Sequence, residues 1–331
     1  MNWLARGSSS SGRISAASRS GVRHAYHWVA VNGGVLLVAK VVTVAEEMSS
    51  EATNSAALSA LCCTLVLYLL VFASCALNLR GRSAIHNRGR SMARPIALRS
   101  IMAHPVGSAF ERYVHGVCAM GVATGPMLAS VLSNASAAVA SDARTGVLYA
   151  LQGSRWSWPI ATACLDSTWW WLQLSARLLL FEIAFDGFFY LAHRAVHANP
   201  AVYSAVHKLH HAHTHDVRLL SSLQMTAADV MLTHTLPVLG ALALVPLTPG
   251  LELSLAKTYL LFQELYGHAG VEHRGRCFGP APFLVSALGI DLHAEDHRRH
   301  HIQASVNFSK RFSLWDKLAG TWYAENAAKH N

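Results

Sequence analysis

The chain has 331 residues, 52% of them hydrophobic and 14% charged, with a net charge of +9. A charged fraction well below the roughly 25% of soluble domains points to a membrane protein. The positive charge comes with no nucleic-acid-binding signature, which excludes nucleic acid as the expected partner.

In chain order, residues 1–27 form a basic tail rich in Ser and Arg, and no acid occurs before position 46. This composition suits a cytosolic tail and also an organellar transit segment. Apolar runs then follow at 28–45, 56–77, 113–138, 168–190, 230–247 and 251–267. Each approaches the ~20 residues needed to cross a bilayer. The run at 56–77 contains LSALCCTLVLYLLVFASCAL, with no charge. Pro249-Gly250 between the last two runs reads as a tight hairpin. Between the second and third runs, Arg80–Arg99 holds six arginines and no acid, the mark of a cytosolic loop. With that loop cytosolic, alternate crossings deliver every histidine cluster to the cytosolic side. Asn134-Ala-Ser136 matches a glycosylation acceptor on the lumenal side, whereas Asn307-Phe-Ser309 is expected to be cytosolic and unmodified. The six cysteines include no CxxC pair, so neither a disulfide framework nor a redox motif is expected. Trp169, Trp170 and Trp171 read as an interfacial aromatic belt, and Phe185, Phe188 and Phe189 as packing within a span.

Fourteen of the twenty histidines lie between His193 and His301. In HRAVH, His193 and His197 share a helix face. The same stripe runs back through Tyr190 to Asp186. An Asp inside an apolar span is a functional candidate by default, and its expected task is to accept a ring N–H from a ligating histidine and fix its tautomer. HKLHH places His207, His210 and His211 on one face, followed by His213 and His215. HRRHH gives His297, His300 and His301 the same spacing, with His293 one turn earlier. His268 and His273 in YGHAGVEH lie at the end of a span and are counted as additional ligand candidates. One ion needs about three or four protein ligands, so this set suffices for two metals. Imidazole suits Zn, Cu, Fe and Ni alike. Zinc proteolysis fits poorly, because HExxH is absent and His293-Ala-Glu-Asp-His297 has Asp where HxxEH needs Glu.

The stretches Asp186-GFF-Tyr190-LA-HRAVH, HKLHH, YGHAG and HRRHH, followed by Asn307-Phe308, Leu314-Trp-Asp316 and Gly320-Thr-Trp322, resemble the membrane-bound fatty acid hydroxylase superfamily, which includes sterol desaturases and sterol methyl oxidases. The resemblance covers about residues 170–323. The chain departs from the family pattern at Asn307-Phe-Ser309, where Asn-Tyr-Gly is common, and at Arg298, where Asp often stands. The resemblance implies an all-α integral membrane helical bundle of about four to six transmembrane helices. A cytosolic histidine-rich cap would hold a dimetal centre of two iron ions, with O2 as co-substrate. The implied ligands are His193, His197, His207, His210, His211, His297, His300 and His301, with His268 matching an intermediate histidine and either His273 or His215 as a further one. Asp186 and Tyr190 are the remaining site candidates. The implied reaction is hydroxylation or desaturation of a sterol or fatty-acyl lipid. Electrons would come from cytochrome b5 and its NAD(P)H reductase, since the chain has no GxGxxG fingerprint. The expected organisation is a tail (1–27), an N-terminal transmembrane region (28–165), a catalytic domain (166–323) and a C-terminal tail (324–331). The endoplasmic reticulum is the implied location, with a plastid or mitochondrial membrane as the alternative. The competing function is a histidine-rich membrane metal-binding or transport protein without oxygenase activity. Such a protein would want polar residues along several spans, and Asp186 is the one strong candidate, aligned with the histidine stripe.

Overall fold

A computed structural model of the protein describes residues 29, 31–41, 71, 73, 160–213, 219–248, 251–268 and 279–323. The expected spans at 56–77 and 113–138, the basic loop 80–99, Asn134, His215 and His273 lie wholly or almost wholly outside the described residues. The described residues are helical and contain no strand. They form α1 (Val31–Val41), α2 (Ile160–Ala198), α3 (Ala227–Leu244), α4 (Leu251–Gly267), α5 (Pro282–Ala287), α6 (Ala294–Ile302) and α7 (Leu314–Ala319). Short helical turns at Tyr203–His207, His210–His213 and Leu219–Leu223 join α2 to α3. Among the described residues, α3 is the one helix that is long and apolar enough to cross a membrane by length and composition.

The long helix α2 places Leu174, Leu178, Phe181, Phe185 and Phe189 at intervals of three and four, and all five are buried. They form the core with α3 and α4, which supply Ala241, Leu255, Tyr259, Phe262 and Leu265. On its other faces α2 carries Leu172, Leu180 and Leu191, each more than half exposed.

The contacts fix the helix directions. Arg177 on α2 donates to the Pro246 carbonyl beyond the end of α3, at 3.1 Å. Phe189 lies edge-on to His234 near the start of α3, with ring centroids 6.1 Å apart. The two helices are therefore antiparallel. Their crossing is close, because a Cβ added at Gly240 would lie 2.9 Å from the Phe188 ring. Arg177 also pairs with Glu252 in the first turn of α4, at 3.1 Å, so α4 runs parallel to α2. The three helices thus carry His193, Asp229 and His268 to one end. At α1, the buried Asn32 accepts from the Tyr259 hydroxyl and donates to the Gly279 carbonyl.

The segment between α6 and α7 closes that end. Asp316 accepts from the amides of Phe308 and Ser309, each at 2.8 Å, and from the Thr321 hydroxyl at 2.6 Å. Asp186 accepts from the next three amides: Lys310 at 2.8 Å, Arg311 at 2.9 Å and Phe312 at 3.0 Å. Five consecutive backbone amides thus rest on two buried carboxylates. Asn307 opens the segment with a φ of 54°, a conformation Asn tolerates better than most residues. Its buried side chain donates to the carbonyls of Asp296 and Tyr323, so the Asn307 sequon is unusable in the folded protein.

Gly187 lets Trp315 of α7 lie against α2, where its indole N–H donates to the Ile183 carbonyl at 3.1 Å. A Cβ at position 187 would lie 2.8 Å from that ring. Gly187→Ala is expected to destabilise the fold by about 1–3 kcal/mol through overpacking, read as a lowered melting temperature.

Candidate metal centre

Nine histidines converge at the closed end in two groups. His193, His197, His207, His211 and His300 form one, and His210, His268, His297 and His301 form the other. Within each group the potential ligand atoms all lie within 4.8 Å of one another. Of the ten histidines expected from the sequence, nine are thus brought together and His273 lies outside the described residues. The pairs spaced i, i+4 share a group: 193 with 197, 207 with 211, and 297 with 301. The middle histidines, His210 and His300, cross over to the other group. On a helix, i+3 and i+4 fall about 100° apart in rotation, so one face divides between two centres.

The ring nitrogens have a consistent polarity. His193 Nδ1 lies 2.7 Å from the Phe308 carbonyl, His268 Nδ1 2.8 Å from the Glu264 carbonyl, and His300 Nδ1 2.8 Å from the Val306 carbonyl. His207 Nδ1 lies 2.8 Å and 2.9 Å from the two oxygens of Asp229. These partners only accept, so each Nδ1 carries the proton and each Nε2 presents a bare lone pair. Yet His193 Nε2 and His207 Nε2 face each other at 3.0 Å. Two bare lone pairs cannot hydrogen-bond, whereas a shared cation satisfies both. In the second group, His268 Nε2 and His297 Nε2 are 3.1 Å apart, and four imidazoles there each offer a ligand atom within 4.8 Å of the others. Imidazole nitrogens about 2.1 Å from one ion and at right angles to each other would be about 3.0 Å apart. The Nε2 atoms of His211 and His300 are also buried with no hydrogen-bond partner. The donor set therefore fits a metal in each group.

Burial and mutual repulsion favour the neutral form of His193, His297 and His300. Burial, then the neighbouring His300, His207 and His197, hold His193 well below the ordinary imidazole range. Burial, then His268 and His300, do the same for His297. Burial lowers His300 to about 3, against the opposing pull of the Val306 carbonyl. Protonation thus favours the unfolded chain. The stability that neutral His300 contributes is present above the unfolded imidazole value of about 6.5. It is lost as pH falls from there toward the folded value, at about 1.4 kcal/mol per pH unit. Metal-free protein is expected to show this acid-side loss in thermal unfolding at a series of pH values, and His300→Gln to reduce the slope.

The structure corrects the role expected of Asp186. Its oxygens take the backbone amides of residues 310–312, and Asp229 orients a histidine instead. Tyr190 accepts from Arg194 at 2.8 Å and pairs with the Thr321 hydroxyl at 3.1 Å, tying α2 to the C-terminal segment. Asp229 and Glu264 are the site residues that sequence reasoning missed. Thr226-Ala-Ala-Asp229 has a capping pattern at the start of an apolar run, and Glu264 sits four residues before His268. Both signals were present but pointed only to local structure. The turns flanking Asp229 and His207, at Met231–Thr235 and Tyr203–His207, are π-helical, a form often found at functional sites.

Residues 178–321 match the model of the fatty acid hydroxylase family. The chain is 28% identical over 167 residues to fatty acid hydroxylase vlmA of a Lecanicillium species, covering 47% of this chain and 44% of that protein. It is 29% identical over 185 residues to a cholesterol 25-hydroxylase-like protein of Danio rerio, covering 54% and 67%. It is 30% identical over 152 residues to methylsterol monooxygenase erg25A of Aspergillus fumigatus, covering 45% and 47%. The matches thus span about half the length of two of these relatives and two thirds of the other. No solved structure matches.

Proposed function

We propose that this chain, whose residues 178–321 match the fatty acid hydroxylase model, is a member of that superfamily and a membrane-bound, non-haem di-iron oxidoreductase. It uses O2 and externally supplied electrons to hydroxylate or desaturate a sterol or fatty-acyl lipid. The observation that carries this reading is the convergence of nine histidines in two groups, with the bare Nε2 atoms of His193 and His207 facing each other at 3.0 Å. All nine donors are imidazole nitrogens, a set that suits iron. The apolar outer face of α2 supports a lipid setting. The proposed organisation is a membrane region at 28–165 and a catalytic domain at 166–323. The proposed location is the endoplasmic reticulum, with the histidines facing the cytosol and cytochrome b5 with its NAD(P)H reductase as donors.

His193, His197, His207, His211 and His300 would hold one iron, and His210, His268, His297 and His301 the other. Bound iron would supply the activation of O2 that attack on an unactivated C–H bond requires. The chain's own residues prepare this setting. Phe308, Asp229, Glu264 and Val306 hold the Nδ1 protons outward, so that the rings keep one tautomer and one orientation. Phe189 packs on His193 with ring centroids 4.9 Å apart, and Phe308 on His300 at 5.4 Å. These rings exclude water from the nitrogens beneath them.

The test is an untargeted lipid and sterol profile by mass spectrometry in a yeast host, comparing wild type with His300→Ala/His301→Ala. A lipid with one extra oxygen that the variant does not make is the expected product of hydroxylation. A lipid lighter by two hydrogens would mark desaturation. Identical profiles, with both proteins in the membrane and wild type free of iron, would overturn the proposal.

A further inference from the structure

A polar chain connects the two histidine groups through Lys310 and through His234, a histidine of neither group. It begins at Lys310, whose ammonium reaches two acceptors. One is the Glu264 carboxylate, with which it forms an ion pair. The other is His234 Nε2, at 2.6 Å. An ammonium can only donate, so His234 Nε2 must accept and His234 Nδ1 must carry the proton. That nitrogen lies 2.9 Å from the Thr233 hydroxyl. The hydroxyl in turn lies 2.8 Å from the Asp229 carbonyl and 3.2 Å from its carboxylate. Asp229 holds His207 of the five-histidine group. On the shorter arm, Glu264 Oε1 lies 3.3 Å from His268 Nδ1 of the four-histidine group, beside the Glu264 carbonyl that takes the Nδ1 proton at 2.8 Å. His234 Nε2 is 3.5 Å from Glu264, too far for that contact to compete with Lys310.

Every donor and acceptor in this chain agrees on one direction. Both arms start at one ammonium, and each ends at a carboxylate facing the outward N–H of one ligand candidate. Lys310 is itself fixed, because its backbone amide rests on Asp186 and its side chain covers the Phe189 ring at 4.8 Å.

We propose that Lys310 is a positioning residue for the metal centre, holding the Glu264 carboxylate beside the His268 ring and so strengthening that histidine as a ligand of the four-histidine group. This rests on the two-metal reading above. The arm to His268 has two links, whereas the arm to His207 passes through His234, Thr233 and Asp229. Asp229 also holds His207 with both of its oxygens. Loss of Lys310 therefore acts mainly on the four-histidine group.

The experiment is a titration of full-length, detergent-purified, metal-free protein with Co(II). Visible absorption follows the coordination environment, and elemental analysis counts the ions. Wild type is expected to bind two equivalents. Lys310→Met is expected to weaken one of them about 10–100-fold, the usual effect of losing a partner behind a ligating histidine. The other equivalent keeps its affinity and its spectrum. Lys310→Arg, which retains a donor and a charge, is expected to recover part of the loss, which a general packing defect would not. Lys310→Met binding two equivalents with wild-type affinities overturns the inference and leaves the two-metal reading intact. Wild type binding fewer than two overturns both. Should Lys310→Met fail to purify folded, Glu264→Gln decides by the same titration: one weakened equivalent upholds the inference, and two unchanged equivalents overturn it.

Discussion

His207→Ala is expected to lose the metal of the five-histidine group and to destabilise the metal-free protein by about 1.5–3 kcal/mol, the usual worth of a hydrogen bond to a charged group. His207 stands at the centre of its group, with its Nε2 3.0 Å from that of His193. Its Nδ1 is held by both oxygens of Asp229, and Asp229 is fully buried. Alanine removes a ligand and leaves that carboxylate with the Thr233 hydroxyl as its remaining side-chain contact. The two losses can be separated. In His207→Ala/Asp229→Ala the unpaired charge is gone, so stability should recover in large part while metal binding stays lost. Elemental analysis and thermal unfolding of the metal-free forms measure the two effects. Retention of both metals by His207→Ala would sink the assignment of His207 as a ligand.

Asp186→Ala is expected to have the second large effect, although Asp186 touches no histidine in either group. The substitution strips the acceptor from three buried amides, each worth about 1–3 kcal/mol when left unsatisfied. The segment so released carries the Phe308 carbonyl that holds His193 Nδ1. Metal affinity should therefore fall along with stability. Asp186→Asn separates charge from geometry. Asp186 Oδ1 serves both Lys310 and Arg311, and an asparagine oxygen can do the same. Its NH2 group would then face the Phe312 amide, donor against donor. Asn is thus expected to lose about one such bond, 1–3 kcal/mol, and to fall between wild type and Ala in melting temperature. Equal melting temperatures for Ala and wild type would show that these amides find other partners.

The histidines were legible in the sequence because their spacing is local. A repeat of three and four residues marks a helix face whatever lies opposite, and nine of the ten marked positions converge. How the face divides was not legible. His210 and His211 are neighbours in sequence yet serve different groups, and which one turns to which depends on the packing of α2, α4 and α6. The orienting partners were hidden for a related reason. Asp229 lies 22 residues from the ring that it holds, and the Phe308 carbonyl 115 residues from His193. A backbone carbonyl has no signature in a sequence at all. Asp186 was singled out correctly as unusual. Its actual partners are amides, which every residue but proline carries, and nothing in the local pattern separates them from a histidine N–H.

The five amides that rest on Asp186 and Asp316 also set an order of assembly. The donors span residues 308–312, and the two acceptors lie 122 or more residues before the segment and four or more after it. Neither aspartate alone can hold the run. Contacts of such long separation form late, because closing the intervening loop costs entropy before any bond repays it. His193 gains the carbonyl that fixes its proton only once residue 308 is in place. A chain emerging from the ribosome would therefore present its first two histidine boxes long before they could hold a metal tightly. Loading follows closure of the 308–312 segment, which acts as the latch.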